Sequence, residues 1–174
     1  MNNVFYEGNL RFDFAACGKA ERFDEKNLNS FGMKAVDFIV ETADCLYFIE
    51  VKDFQNPNAP TEQQEKDLEM LIAAANDQKA VFNLEMGEKI KDSLLRKYAE
   101  GSAFSKKVMY ILFINLEGLG EKERGLLKDR IKGHVPTGLN DARFNAFTEI
   151  SFDLVNTKKK LMEHGIVCED KSVN

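Results

Sequence analysis

The chain has 174 residues, of which 44% are hydrophobic and 30% charged, the balance of an ordinary folded protein. Its formal net charge of −5 argues against coating nucleic acid by bulk electrostatics, which needs clustered Lys and Arg, yet leaves room for one local basic surface. Cys17, Cys45 and Cys168 are widely spaced with no C-x-x-C, and MNNVFYEGNL lacks the pattern of a signal peptide. No apolar stretch approaches the roughly 20 residues that span a bilayer, so a cytoplasmic location without a membrane partner is expected.

Leu10, Phe12 and Phe14 alternate with Arg11 and Asp13, which predicts a short half-buried strand. Ala15–Phe31 is polar and irregular, with one short helix expected around Gly18–Lys26. Two strong strand signals follow, Lys34–Glu41 (KAVDFIVE) and Leu46–Asp53 (LYFIEVKD), and the short link Thr42–Cys45 predicts a hairpin. Beyond the loop Phe54–Pro60, Thr61 is expected to cap a helix, with Gln64 completing a capping box. Leu68, Leu71, Ile72, Ala75 and Phe82 keep helical spacing. A second helix is expected from Gly87 to Glu100, with Ile90, Leu94, Leu95 and Tyr98 as its apolar stripe and Gly101 as its stop.

Val108–Asn115 is a nearly continuous apolar run, the pattern of an interior strand covered on both faces, here by helices. Glu121–Lys132 predicts a helix ended by Gly133, and Ile150, Phe152 and Leu154 predict a last strand. A short basic helix, Thr157–His164, closes at Gly165. No repeat or linker divides the chain, so residues 1–174 are expected to form a single domain. Its class is α/β (α+β), a mixed central sheet flanked by helices.

Acid-x-Lys occurs at Asp24–Lys26, Asp77–Lys79, Glu169–Lys171 and Glu50–Lys52, but only the last lies in a strongly apolar strand. Strand periodicity puts Phe48, Glu50 and Lys52 on one face. If the hairpin closes symmetrically between Ala43 and Asp44, Asp37 lies across from Glu50 and Ile39 across from Phe48. Directly opposed carboxylates stand about 4.5–5.5 Å apart at Cβ and repel. Burying both without a partner is costly, and a divalent cation between them, with Lys52 beside it, resolves the conflict. Hard carboxylate oxygens suit Mg²⁺ or Mn²⁺, which acidify bound water and grip phosphate. Lys52 could position that water, deprotonate it or stabilise charge on the phosphate. The competing reading is a structural Asp37–Lys52 ion pair, with Glu50 held by a nearby helix.

VDFIVE, a short turn and LYFIEVKD together resemble the core of the PD-(D/E)XK nuclease superfamily, whose fold is restriction-endonuclease-like. The resemblance implies Asp37 and Glu50 as metal ligands, the carbonyl of Val51 as a further ligand, and Lys52 as the catalytic lysine. It also implies Mg²⁺ or Mn²⁺ as cofactor and hydrolysis of phosphodiester bonds in DNA, or as the lesser expectation RNA. Many members add an upstream helical Glu, for which Glu21 and Glu25 are both candidates. Val36 stands where the motif's name has Pro, and outside Lys34–Asp53 the chain agrees in element order alone. So diverse a superfamily specifies neither substrate nor biological role.

Lys89, Ser93, Arg96, Lys97 and Glu100 fall near one side of the second helix. Its cations Lys89, Arg96 and Lys97 are the foremost candidates for phosphate contact, against the plainer reading of a solvated helix face. His134 and His164 sit near helix ends, where the helix dipole accounts for them. The leading expectation is a Mg²⁺-dependent nuclease. One alternative is a catalytically inactive nucleic-acid- or protein-binding module on the same fold, such as a defence or mobile-element component. Another is an interaction protein whose acidic surface meets a basic partner, and a homodimer or other protein partner stays open.

Overall fold

A computed structural model describes residues 3–24, 32–55, 57, 59–101, 104–116, 118–140 and 149–171. It contains β1 (Val4–Glu7), β2 (Leu10–Asp13), β3 (Lys19–Arg22), β4 (Phe38–Glu41) and β5 (Cys45–Asp53). Then come α1 (Thr61–Asn76), α2 (Val81–Ala99), β6 (Lys107–Asn115), α3 (Glu121–Lys132), β7 (Ile150–Val155), α4 (Lys158–Glu163) and β8 (Val167–Asp170). The main sheet has the order β3-β4-β5-β6-β7, antiparallel from β3 to β5 and parallel from β5 to β7. A smaller antiparallel sheet has the order β1-β2-β8. The class is therefore the mixed α/β arrangement expected.

Strand alternation divides the interior into two cores. One face of the main sheet sends Ile39, Phe48, Tyr110, Leu112 and Phe152 against Leu71 of α1, Met86, Ile90 and Leu94 of α2, and Leu127 and Ile131 of α3. The other sends Phe38, Val40, Ile49, Val51, Ile111 and Phe113 against Leu10 and Phe12 of the small sheet, with Phe14, Leu161 and Ile166. β6 is interior, as its apolar run requires, but helices on both faces is corrected. Helices cover one face, and the small sheet with α4 covers the other. An apolar run demands two covers and leaves their secondary structure open.

Several local expectations change. The helix expected at Gly18–Lys26 is instead β3, which pairs with the otherwise open edge of β4; Glu25 and Lys26 lie outside the described residues. The strand expected from Lys34 begins at Phe38, because Lys34 N–H goes to Asp92 Oδ2 (2.8 Å) and Val36 N–H to Ser93 Oγ (3.0 Å) on α2. Pro60 holds the cap position of α1, and Thr61 is already helical with no side-chain cap bond. α2 starts at Val81, so Phe82 belongs to it and Gly87 lies inside it. That glycine permits close packing, since a Cβ there would fall 2.4 Å from His134 Cβ.

The expected apolar stripe of α2 splits. Ile90 and Leu94 are buried, whereas Leu95 and Tyr98 are 59% and 63% exposed, and Ser93, expected on the polar side, is buried. α3 and β7 form as expected, and α4 lies within Thr157–His164, with Thr157 Oγ1 accepting Lys160 N–H at 3.2 Å. Gly165 ends α4 at a φ of +79°. Among the described residues, no helix is long and apolar enough to cross a membrane.

Candidate functional site

The hairpin closes in the expected register, with Ile39 opposite Phe48 and Phe38 opposite Ile49. Asp37 and Glu50 are the next positions along, just beyond the last paired residues. Asp37 Oδ2 accepts the Val51 N–H at 2.6 Å, so a carboxylate satisfies that backbone donor. Val51, expected to lend a carbonyl to a metal, thus lends its N–H to Asp37.

Ile49 and Val51 face the small sheet, so Glu50 between them points toward the helices. It is fully buried there, and Asp37 is 6% exposed. Glu50 Oε1 accepts a hydrogen bond from Lys89 Nζ of α2 at 2.7 Å and forms an ion pair with Lys52 Nζ, on its own strand face, at 2.9 Å. Glu50 Oε2 is buried with no hydrogen-bond partner among the described residues. Lys52 forms the outer end of the group, its side chain 25% exposed against 15% for Lys89.

Burial pushes the Asp37 carboxyl up to about 8, and the negative charge of Glu50 adds to the rise. Lys89 and the Val51 N–H oppose it without prevailing. For Lys89, burial works against the charge, but Glu50 and Asp37 outweigh it and raise the ammonium above its ordinary value. Burial and the charge of Glu50 thus favour the protonated form of Asp37, and the two acids favour the charged form of Lys89.

A second set of charges meets Asp37. Glu7 on β1 and Asp24 just after β3 each place a carboxylate oxygen so that these and one of Asp37 lie within 4.8 Å of one another. Arg22 runs through this cluster, pairing with Glu7 at 2.8 Å and Asp24 at 3.3 Å and donating to the Tyr6 carbonyl. Sequence reading missed Glu7 and Arg22, which carry no local mark, and set Asp24 aside as the head of an acid-x-Lys tripeptide outside any strongly apolar strand. It flagged Lys89, but for phosphate contact rather than as the partner of Glu50.

The two candidates for an upstream acid fall elsewhere. Glu21 pairs with Lys97, and Glu25 lies outside the described residues. Arg96 packs over the Phe23 ring at 3.9 Å and bonds Glu100 at 2.7 Å, so Lys89, Arg96 and Lys97 each already have a carboxylate partner. A cavity of about 250 Å³ beside β3 and β4 is lined by Lys19, Glu21, Glu41, Lys97 and Lys106, but not by Asp37, Glu50 or Lys52. His134 Nε2 lies 2.8 Å from the Gln78 carbonyl and His164 Nε2 3.2 Å from Asp153 Oδ2, contacts that place both histidines in the scaffold.

Carboxylate oxygens are the donors a hard divalent cation takes. Among the described residues, those that converge within 4.8 Å belong to Glu7, Asp24 and Asp37, while Glu50 offers one orphaned buried oxygen beside the one that Lys52 and Lys89 share. Compared with models of known families, with curated proteins and with solved structures, the chain matches none.

Proposed function

We propose that the chain is a divalent-cation-dependent nuclease acting on DNA, or less readily RNA, with Asp37 and Glu50 holding Mg²⁺ or Mn²⁺ and Lys52 as its catalytic lysine. The observation that carries this reading is the buried Glu50 carboxylate, one oxygen unpartnered, beside an Asp37 whose ionisation burial opposes. In so dry a setting neighbouring carboxylates favour whatever supplies positive charge, a proton or a metal ion. The resemblance of Lys34–Asp53 to the PD-(D/E)XK core points the same way. When bound, the cation supplies Lewis acidity and a water of lowered pKa.

The chain's own groups divide the remaining work. Lys52, at the more exposed end, can hold a water or a phosphate oxygen by hydrogen bond and charge. Lys89, at the inner end, offsets the charge of Glu50 and keeps its carboxylate in one orientation. The Val51 N–H does the same for Asp37.

A second reading is the inactive binding module on the same fold, and Lys89 favours it. Two ammonium groups already share Glu50 Oε1, enough positive charge to balance Glu50 and Asp37 even when both are ionised, so the cluster needs no metal for charge balance. The deciding experiment is a panel of single-stranded, double-stranded and branched DNA and RNA, assayed with Mn²⁺, Mg²⁺ or chelator. The nuclease reading expects metal-dependent cleavage that Lys52→Ala abolishes. Binding without cleavage selects the module, and equal cleavage by Lys52→Ala removes that lysine from the chemistry.

A further inference from the structure

The outward face of α2 has a self-complementary pattern. From Val81 to Tyr98 its exposed residues are Val81, Leu84, Glu88, Lys91, Leu95 and Tyr98, spaced alternately by three and four. That spacing is the seam of a coiled coil, whereas the inward arc of Met86, Ile90 and Leu94 belongs to the core. Val81 is 79% exposed, Leu84 40%, Leu95 59% and Tyr98 63%, so the seam holds large apolar groups at both ends. Its centre holds one acid and one base.

The order along the seam is symmetric. Two copies of α2, antiparallel about a two-fold axis passing between Lys89 and Ile90, bring Val81 against the partner's Tyr98 and Leu84 against the partner's Leu95. The same axis brings Glu88 against the partner's Lys91, and Lys91 against the partner's Glu88. Every apolar position meets an apolar one and both central charges meet their opposites, as an isologous interface requires. The half-buried acids Glu85 and Asp92 flank one edge. Lys34 lies there, 2.9 Å from Glu88 and 4.0 Å from Glu85, and offsets their charge.

We propose that α2 is a homodimerisation helix, its partner a second copy of this chain packed antiparallel along this seam. The axis runs behind Lys89, so dimerisation leaves the Glu50 site of each copy on the inner side of its own helix. A single pair of helices of this length makes an interface at the small end of the specific range, so the association is concentration-dependent.

Sedimentation velocity on the whole chain, over roughly 5–500 µM, is expected to show a rise to twice the monomer mass, as interfaces of this size associate weakly. Leu84→Glu and Leu95→Glu should abolish the rise, with circular dichroism and melting confirming that each variant folds. The decisive arm uses the central charges. Glu88→Lys alone sets like charges against each other at both symmetry-related contacts and should weaken dimerisation at least about tenfold, as should Lys91→Glu alone. Mixing these two variants should restore a dimer, because each then faces its opposite, and the double variant Glu88→Lys/Lys91→Glu should dimerise by itself. A monomer at every concentration overturns the proposal. So does a dimer indifferent to Leu84→Glu, or single-charge variants that fail to associate on mixing while the wild type dimerises.

Discussion

Lys89 Nζ stands 2.7 Å from Glu50 Oε1, tying the middle of α2 to the carboxylate of a central strand. Because Glu50 is fully buried, removing this cation leaves a charge in the interior with Lys52 as its remaining ion-pair partner. Lys89→Ala is expected to lower stability by about 3 kcal/mol, the usual cost of breaking a buried pair from one side. The double variant Lys89→Met/Glu50→Leu, which removes both charges and keeps apolar volume, should recover most of it. Urea unfolding measures both. A cost below about 0.5 kcal/mol for Lys89→Ala would mean that Lys52 and water suffice for Glu50.

Asp37 predicts an unusual pH dependence. Its folded pKa is raised to about 8 from an ordinary 3.8, so between these values the folded state keeps a proton that the unfolded state has lost. Stability from this group therefore falls as pH rises from about 4 to 8, and below pH 4 the penalty is absent. Asp37→Asn keeps a carbonyl for the Val51 N–H and removes the ionisation. It should be more stable than wild type by about 1–3 kcal/mol at pH 8, with little difference at pH 4. Equal pH profiles for the two proteins would place the Asp37 carboxylate in contact with water.

Metal binding can be read without any substrate. At concentrations about a hundredfold above Kd, a native-state ligand contributes about 2.7 kcal/mol, and for a chain of this size each kcal/mol raises Tm by about 2–4 °C. Mn²⁺ should produce such a shift in wild type, and both Asp37→Asn and Glu50→Gln should reduce it. Glu7→Gln separates the two acidic groups that meet at Asp37. A response that Glu7→Gln abolishes and Glu50→Gln leaves intact would move the ion to Glu7, Asp24 and Asp37, away from Lys52.

Gly87→Ala sets two effects against each other. Alanine in place of glycine inside a helix is worth about 1 kcal/mol in propensity. Against this, the added Cβ falls 2.4 Å from His134 Cβ, an atom tied to its backbone that cannot swing aside. Overpacking of that kind costs about 1–3 kcal/mol, so net destabilisation is expected. A raised Tm for Gly87→Ala would show that the segment after α3 shifts freely.

Asp153 governs part of the acid limb. Burial alone would raise its carboxyl, but hydrogen bonds from His164 and Lys128 outweigh burial and hold it at about 2. A depressed acid stabilises the fold above its unfolded pKa, so this contribution is complete above pH 4 and disappears as pH falls toward 2. Asp153→Asn should cost about 1–2 kcal/mol at pH 7 and nothing near pH 2. A cost unchanged between these two pH values would assign the effect to packing.

The chain's local pattern determined β5, β6 and β7, and the hairpin register that sets Asp37 next to Glu50, with Glu50 and Lys52 on one strand face. These were legible because side-chain alternation and a short link specify a strand pairing wherever a face must be buried. Tertiary structure alone decided the rest. The four-residue strands β1, β3 and β8 have too little pattern of their own and exist because a neighbouring edge supplies their hydrogen bonds. α2 carries apolar residues on two stripes, and only packing against the sheet chose Met86, Ile90 and Leu94 for the core, turning Lys89 inward onto Glu50 and leaving Leu84, Leu95 and Tyr98 outside. Glu7 reaches Asp37 from β1 and Asp24 from the segment just after β3, and a contact of that kind leaves no periodic trace in the sequence because chain topology, not local spacing, brings its members together.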